Sequence, residues 1–190
     1  MFLKIKTSND HSKKNDRMAI KKIITYPDPV LRKKVEPVTS FDDSLKELAR
    51  DLAETMYAAP GAGLAANQIG VCLSVVVVDV SKDQDEKKPL FLVNPEIIEK
   101  EGCQIDEEGC LSVIDLTAKV ERYKKLLVRA QDLHGKTWDF PAEDFFARVI
   151  QHELDHLNGT LFIDRLSSLK RTLYKKRLKK LLLSQEEGAL

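Results

Sequence analysis

A chain of 190 residues and 21.6 kDa supports one domain with a substantial core and is too short to expect two. Its 43% hydrophobic and 32% charged residues exclude a disordered tail or a membrane-embedded chain, while a net charge of +1 argues neither for nor against a polyanionic partner. Three cysteines are too few, and odd in number, for a disulfide scaffold, which favours a reducing compartment.

Residues 1–17 are polar, charged and aperiodic, and patterning begins at "MAIKKIITYPDPVLR", so Met18 reads as a start preceded by a flexible extension. The N-terminus lacks the apolar stretch of a secretory signal. The longest apolar run, "LSVVVVDV" at 73–80, is far too short to span a bilayer, so the expected compartment is the cytoplasm, with no membrane partner. Pro27, Pro29 and Pro37 hold "YPDPVLRKKVEPV" extended along the surface.

From Phe41 to Ala59, the apolar residues Leu45, Leu48, Ala49, Leu52, Ala53, Met56 and Tyr57 recur at intervals of three and four. That spacing predicts an amphipathic helix, with Ser40 or Asp42 as N-cap and Pro60–Gly61 as its stop. "GAGLAANQIG" then reads as a glycine-punctuated loop. Residues 73–80 predict a buried strand, and shorter strands are expected at 90–93, 96–100, 117–122 and 126–132. Pro141, Glu143 and Asp144 signal a helix start and Gly159 its end, with Phe146, Val149, Ile150, Leu154 and Leu157 at helical spacing between them. A last leucine- and lysine-rich helix is expected over 166–183.

The second helix carries "QHELDHLNG" at 151–159, with two of the chain's four histidines. Residues four apart stack on one helical face, so His152 and His156 can present two imidazoles to one ion at about 2.0–2.1 Å. Glu153 flanks them as a proton acceptor. This is the H-E-x-x-H arrangement, and a catalytic ion needs a third protein ligand. The extended form H-E-x-x-H-x-x-G-x-x-H is followed as far as Gly159 but meets Phe162 at its last ligand position. Asp164, Glu186 and Glu187 offer downstream oxygens. Cys110 in "EGCLS" at 108–112 is better placed, since a thiolate binds zinc or ferrous iron strongly. By spacing alone, the same cysteine could equally fill the core. In "GAGLAANQ", Gly61 and Gly63 permit close backbone approach and Gln68 offers an amide.

A rival closes a structural Cys₂His₂ zinc site with Cys103, although six residues between the cysteines and forty-one before the first histidine do not suit a zinc finger. A general metalloprotease on the same helix is the nearer alternative. Cys72 reads as a core residue, His11 and His134 have no evident partner, and Trp138 is a core anchor or a rim residue.

Together and in this order, "GAGLAANQ", "EGCLS" and "QHELDH" resemble the three signature motifs of bacterial peptide deformylases, over most of residues 18–168 and including "YPDPVLR". The resemblance implies hydrolytic removal of the formyl group from the formylmethionine at the start of nascent polypeptides, with release of formate. It implies Cys110, His152 and His156 as metal ligands and Glu153 as catalytic acid and base. Gln68 and the Leu111 amide would form the oxyanion site, with Gly61, Ala62, Gly63, Leu64 and Ile114 facing substrate and Glu108 orienting a ligating histidine. One divalent ion per chain is implied, Fe(II) natively, with zinc or nickel in a purified sample. Ala62, Ile114 and Thr117 stand where family members commonly carry isoleucine or valine, proline and arginine.

The expected architecture is α+β, with small mixed or antiparallel sheets packed around a central metal-binding H-E-x-x-H helix, a helix in the N-terminal half and a C-terminal helix. Residues 1–17 would be the extension, 18–168 the catalytic domain, and 169–190 a basic helix and tail. From Arg165 to Lys180 there are eight lysines and arginines and no acid, with Leu166, Leu169, Leu173 and Leu178 interleaved and Leu181 and Leu182 following. Either the leucines dock on the core while the lysines reach into water, or the helix faces ribosomal RNA.

Overall fold

The computed structural model describes residues 20–81 and 87–187, so the extension expected over 1–17, with His11, lies outside the described residues. Strands β1 (Gly63–Ala65), β2 (Val75–Val78) and β3 (Leu90–Glu101) pair in sequence, and β6 (Lys125–Gln131) and β7 (Thr137–Glu143) extend the same sheet in the order β1-β2-β3-β6-β7. Between β3 and β6 the chain forms a separate hairpin, β4 (Gln104–Cys110) with β5 (Val113–Arg122). Every strand pair is antiparallel. Helices α1 (Asp43–Ala58), α2 (Asp144–Leu157) and α3 (Ser168–Glu187) complete an α+β fold.

The four valines of β2 are buried because helices cover both faces of the sheet. Val75 and Val77 pack among Leu45, Leu48, Leu52 and Met56 of α1, whereas Val76 and Val78 pack among Ala147, Ile150 and Leu154 of α2. Alternate side chains of a strand point to opposite faces, so a strand covered on both sides reads as one apolar run. A third cluster joins Leu31, Val113, Val120 and Phe162 to Tyr174 and Leu178 of α3.

Each end of the site-bearing region is fixed by identifiable contacts. Asp42 caps α1, accepting from the amides of Ser44 at 2.9 Å and Leu45 at 3.4 Å. At the other end of α2, Gly159 has φ 68°, and a Cβ there would run into the Arg32 carbonyl. Both the left-handed backbone and the close approach require glycine. Asn67 donates to the His156 carbonyl at 2.6 Å, tying the last turn of α2 to the segment after β1.

Several elements differ from the sequence reading. The expected loop at 61–70 contains β1 and a 3₁₀ turn, Ala66–Ile69. The strands expected at 90–93 and 96–100 are one strand, β3, with register irregularities that absorb the break at Asn94 and Pro95. "EGC" ends a strand, β4, although its acids and glycine give no apolar alternation. Pro141, taken as a helix-start signal, lies inside β7 on the edge of the sheet, where a missing N–H is tolerated; α2 begins at Asp144. Cys72 is half-buried rather than core. Trp138 packs against the core edge and stacks on Phe140 at 5.7 Å. The leucines of α3 divide: Leu178 is buried, while Leu169 and Leu173 are exposed. Among the described residues, no helix is long and apolar enough to cross a membrane.

Candidate metal centre and cleft

The end of β4 and the inner face of α2 bring together Cys110, His152 and His156, whose ligand atoms all lie within 4.8 Å of one another. The Cys110 thiol group is 3.1 Å from His156 Nε2. His152 presents Nδ1 to a Glu108 oxygen at 3.1 Å, so a neutral imidazole donating there keeps its Nε2 lone pair for the centre. Among the described residues, the one downstream candidate oxygen donor, Asp164, does not join them. Asp164 is an ion-pair partner of Arg32 and accepts from the Leu161 amide, and the side chains of Glu186 and Glu187 lie outside the described residues. Cys103 is exposed on the far end of the hairpin and takes no part in the cluster, which removes the Cys₂His₂ reading.

The electrostatics favour a cation at the point where the donors converge. Burial holds His156 well below its ordinary pKa and therefore neutral, as a ligand must be. For His152, burial disfavours the charged form, yet Cys110 and Glu108 outweigh it and raise the pKa to about 10. The groups facing His152 thus favour positive charge at the rings, which a divalent ion would supply. Burial also raises Glu153 to about 7. Its Oε2 is buried without a protein partner among the described residues, and Glu153 lines the same cleft as Cys110 and His152. A thiolate, two imidazoles and an adjacent carboxylate suit zinc or ferrous iron.

A cleft of about 560 Å³ opens onto this centre and is lined by Gly61, Ala62, Gly63, Gln68, Leu111 and Glu153 among others. Gln68 is only 2% exposed, and its orientation is fixed. Its Oε1 accepts from the Ala65 amide at 2.7 Å, leaving Nε2 to donate to Ser112 at 3.1 Å and to face Cys110 Sγ at 4.0 Å. Two residues expected at the cleft do not line it. Leu64 alternates away from Gly63 and is buried against α1 in the second core cluster. Ile114 likewise alternates away from Val113 and Asp115, and its carbonyl accepts from the Tyr174 hydroxyl at 3.2 Å.

Residues 20–172 match the family model of polypeptide deformylase. The chain belongs to the polypeptide deformylase family. It is 58% identical over 164 residues to the peptide deformylase of Desulfotalea psychrophila, covering 86% of this chain and 97% of that protein. The Acidobacterium capsulatum peptide deformylase is 48% identical over 164 residues, with 86% and 96% covered. Among solved structures, a peptide deformylase from Legionella pneumophila superposes with TM-score 0.82 at 45% identity, covering 88% of this chain and 98% of that one. That of Ehrlichia chaffeensis in complex with actinonin gives TM-score 0.80 at 35% identity, covering 86% and 98%. The deformylase family comprises hydrolases that remove the N-formyl group from nascent peptides, and this chain is one of them.

The sequence reading missed much of what surrounds the deformylase centre. Glu108 is gripped by Arg122 through Nε at 2.8 Å and Nη2 at 2.9 Å, and by Arg148 Nη1 at 2.7 Å. Burial opposes ionisation of Glu108, but the bonds from Arg122 and His152 prevail and hold its pKa at about 2. A signal was available for Arg148, which precedes His152 by four residues and so shares the buried face of α2. Arg122 follows Val120 by two and so shares its inward face. Ser112 and Asn67 had no such signal, because their roles rest on contacts made across the fold.

Proposed function

We propose that Cys110, His152 and His156 hold one divalent ion, natively Fe(II), and that Glu153 is the general base and acid for hydrolysis of formyl-Met peptides with release of formate. The convergence of the three donors beside a buried carboxylate supports this reading above all. When bound, the ion supplies Lewis acidity toward the formyl oxygen and a water that ionises near neutral pH. Glu153 takes the proton of the attacking water and passes it to the departing amine, roles suited to a carboxyl raised to about 7. The oriented Gln68 Nε2 and the Leu111 amide donate to the formyl oxygen as it gains charge, each worth about 2.7–4 kcal/mol of barrier. Gly61, Ala62 and Gly63 form the wall that admits the formyl group, the smallest acyl unit, and crowds a larger one.

In this reading residues 18–168 form the catalytic domain and 169–190 a basic appendage, and the enzyme works in the cytoplasm on chains leaving the ribosome. The exposed basic α3 is the surface proposed to meet ribosomal RNA. Removing residues 170–190 is expected to abolish salt-sensitive co-sedimentation with ribosomes. Unchanged co-sedimentation would remove that contact.

The reaction is tested by measuring formate release from a formyl-Met peptide together with metal content. Glu153→Gln is expected to lower kcat by about 10²–10⁴ while the ion is retained. Cys110→Ser is expected to lose the ion as well. Full activity in Glu153→Gln would overturn the assignment.

A further inference from the structure

Beyond Glu108, the bonds leading away from His152 continue to the protein surface. Arg122 donates through Nη1 to Asp155 at 2.6 Å, and Asp155 is held from the other side by Arg165, through Nε at 2.6 Å and Nη2 at 2.5 Å. The inner pair is enclosed, with side-chain exposures of 4% at Glu108 and 1% at Arg122, and exposure then rises to 13% at Asp155 and 42% at Arg165. The outer end opens on a cavity of about 600 Å³ lined by Arg122, Gln151, Asp155 and Arg165, and by none of Cys110, His152 or Glu153. Substrate in the cleft therefore does not meet Arg165.

A structural ion-pair network would also bury Arg122, but this one has a particular electrical form. Glu108 and Asp155 share the Arg122 guanidinium, through different nitrogens, while Arg148 holds Glu108 independently at 2.7 Å and is a constant background to that sharing. The more strongly Asp155 draws Arg122, the less positive charge bears on Glu108. A less neutralised Glu108 is then a stronger acceptor for the His152 Nδ1–H. A stronger acceptor on the far side of an imidazole makes its other nitrogen a better electron donor. Arg165 acts in the opposite sense, because it neutralises Asp155 from the solvent side.

We infer that Asp155 and Arg165 are an antagonistic pair of positioning residues, which set through Arg122 and Glu108 how firmly His152 holds the proposed metal ion. The inference rests on the reading of Cys110, His152 and His156 as ligands. It makes a signed prediction, since removing either member of a purely structural pair would weaken the site.

The test uses the full-length chain loaded with zinc and labelled with nitrogen-15 at histidine. Two quantities are read in the parent protein and in Asp155→Asn and Arg165→Gln: the chemical shift of the His152 Nδ1 proton, and zinc affinity by chelator competition. Asp155→Asn is expected to move the proton upfield and weaken zinc binding about tenfold, the lower range for partners of a ligating histidine. Arg165→Gln, at a largely exposed site that leaves folding intact, is expected to move the proton downfield and to leave zinc held at least as tightly. Shifts of the same sign, or no shift with Arg165→Gln, would overturn the inference. Formate release by the parent protein reads the proposed reaction separately. If that assay fails while the proton shifts remain opposed, the relay stands and the reaction falls.

Discussion

Gly63 shows how a single position can be required by a partner far away in sequence. A Cβ built there would lie 2.5 Å from Glu153 Oε1 and 2.9 Å from its Cγ, so the carboxylate rests directly on the glycine backbone. Gly63→Ala is expected to push Glu153 aside and lower kcat/KM by about a hundredfold, the cost of displacing a reacting group by about 1 Å. Metal content is expected to stay unchanged, because the side chain that an added Cβ meets first is Glu153 and not one of the three donors. Activity within a few-fold of the parent would show that the carboxylate adapts. At this scale the sequence was informative where chemistry and spacing coincide. His152, Glu153 and His156 stand within one helical turn, and Cys110 and Gln68 entered through short motifs. The reason for Gly63 was not legible, since periodicity carries no information about a contact across ninety residues.

At the scale of elements, β2 and α1 were legible because both follow a burial pattern set by their immediate neighbours. β7 was not, since Pro141 and two acids imitate the start of the helix that follows it. One link between elements also carries a pH signature. Tyr57 of α1 donates to Asp79, just past β2, at 2.6 Å, and Asp79 also accepts from the amides of Ser81 at 2.9 Å and Lys88 at 2.8 Å. Burial alone would raise the Asp79 pKa, but these bonds outweigh it and hold it at about 2, below its ordinary 3.8. A depressed folded-state pKa stabilises the fold above the unfolded value, and that contribution is lost as pH falls from about 4 to about 2. The shift corresponds to about 2 kcal/mol, reduced to about 1 kcal/mol by solvent screening. Asp79→Asn is therefore expected to lower stability at pH 7 by that amount and to flatten the acid limb of a melting-temperature profile. Parallel acid limbs in both proteins would refute the link.

At the largest scale, three apolar clusters divide the work among the described residues. Two enclose the large sheet from opposite sides, and the third joins the hairpin to α3. Cys110, His152 and His156 all lie outside α3, whose docking depends on Tyr174 and Leu178, each 3% exposed. Leu178→Ala is expected to loosen that helix by about 2 kcal/mol or more, quickening amide hydrogen exchange in α3 by about thirtyfold. Metal content and formate release are expected to hold. Cys110 packs against this same cluster, so a matching loss of metal would mean that loosening α3 reaches the donor itself. The separation into two sheets was not legible in the sequence, because β4 and β5 expose most of one face and give no run of apolar residues.

The three donors belong to two pieces of chain that share no strand pairing. Cys110 closes a hairpin, while both histidines ride a helix seated on the other sheet. Under the proposed ligation, an ion held by all three would be a cross-brace as well as a reagent, closing the long loop of chain that runs from 110 to 152. Because that hairpin also forms one wall of the cleft, the shape offered to a nascent chain and the occupancy of the brace become a single variable.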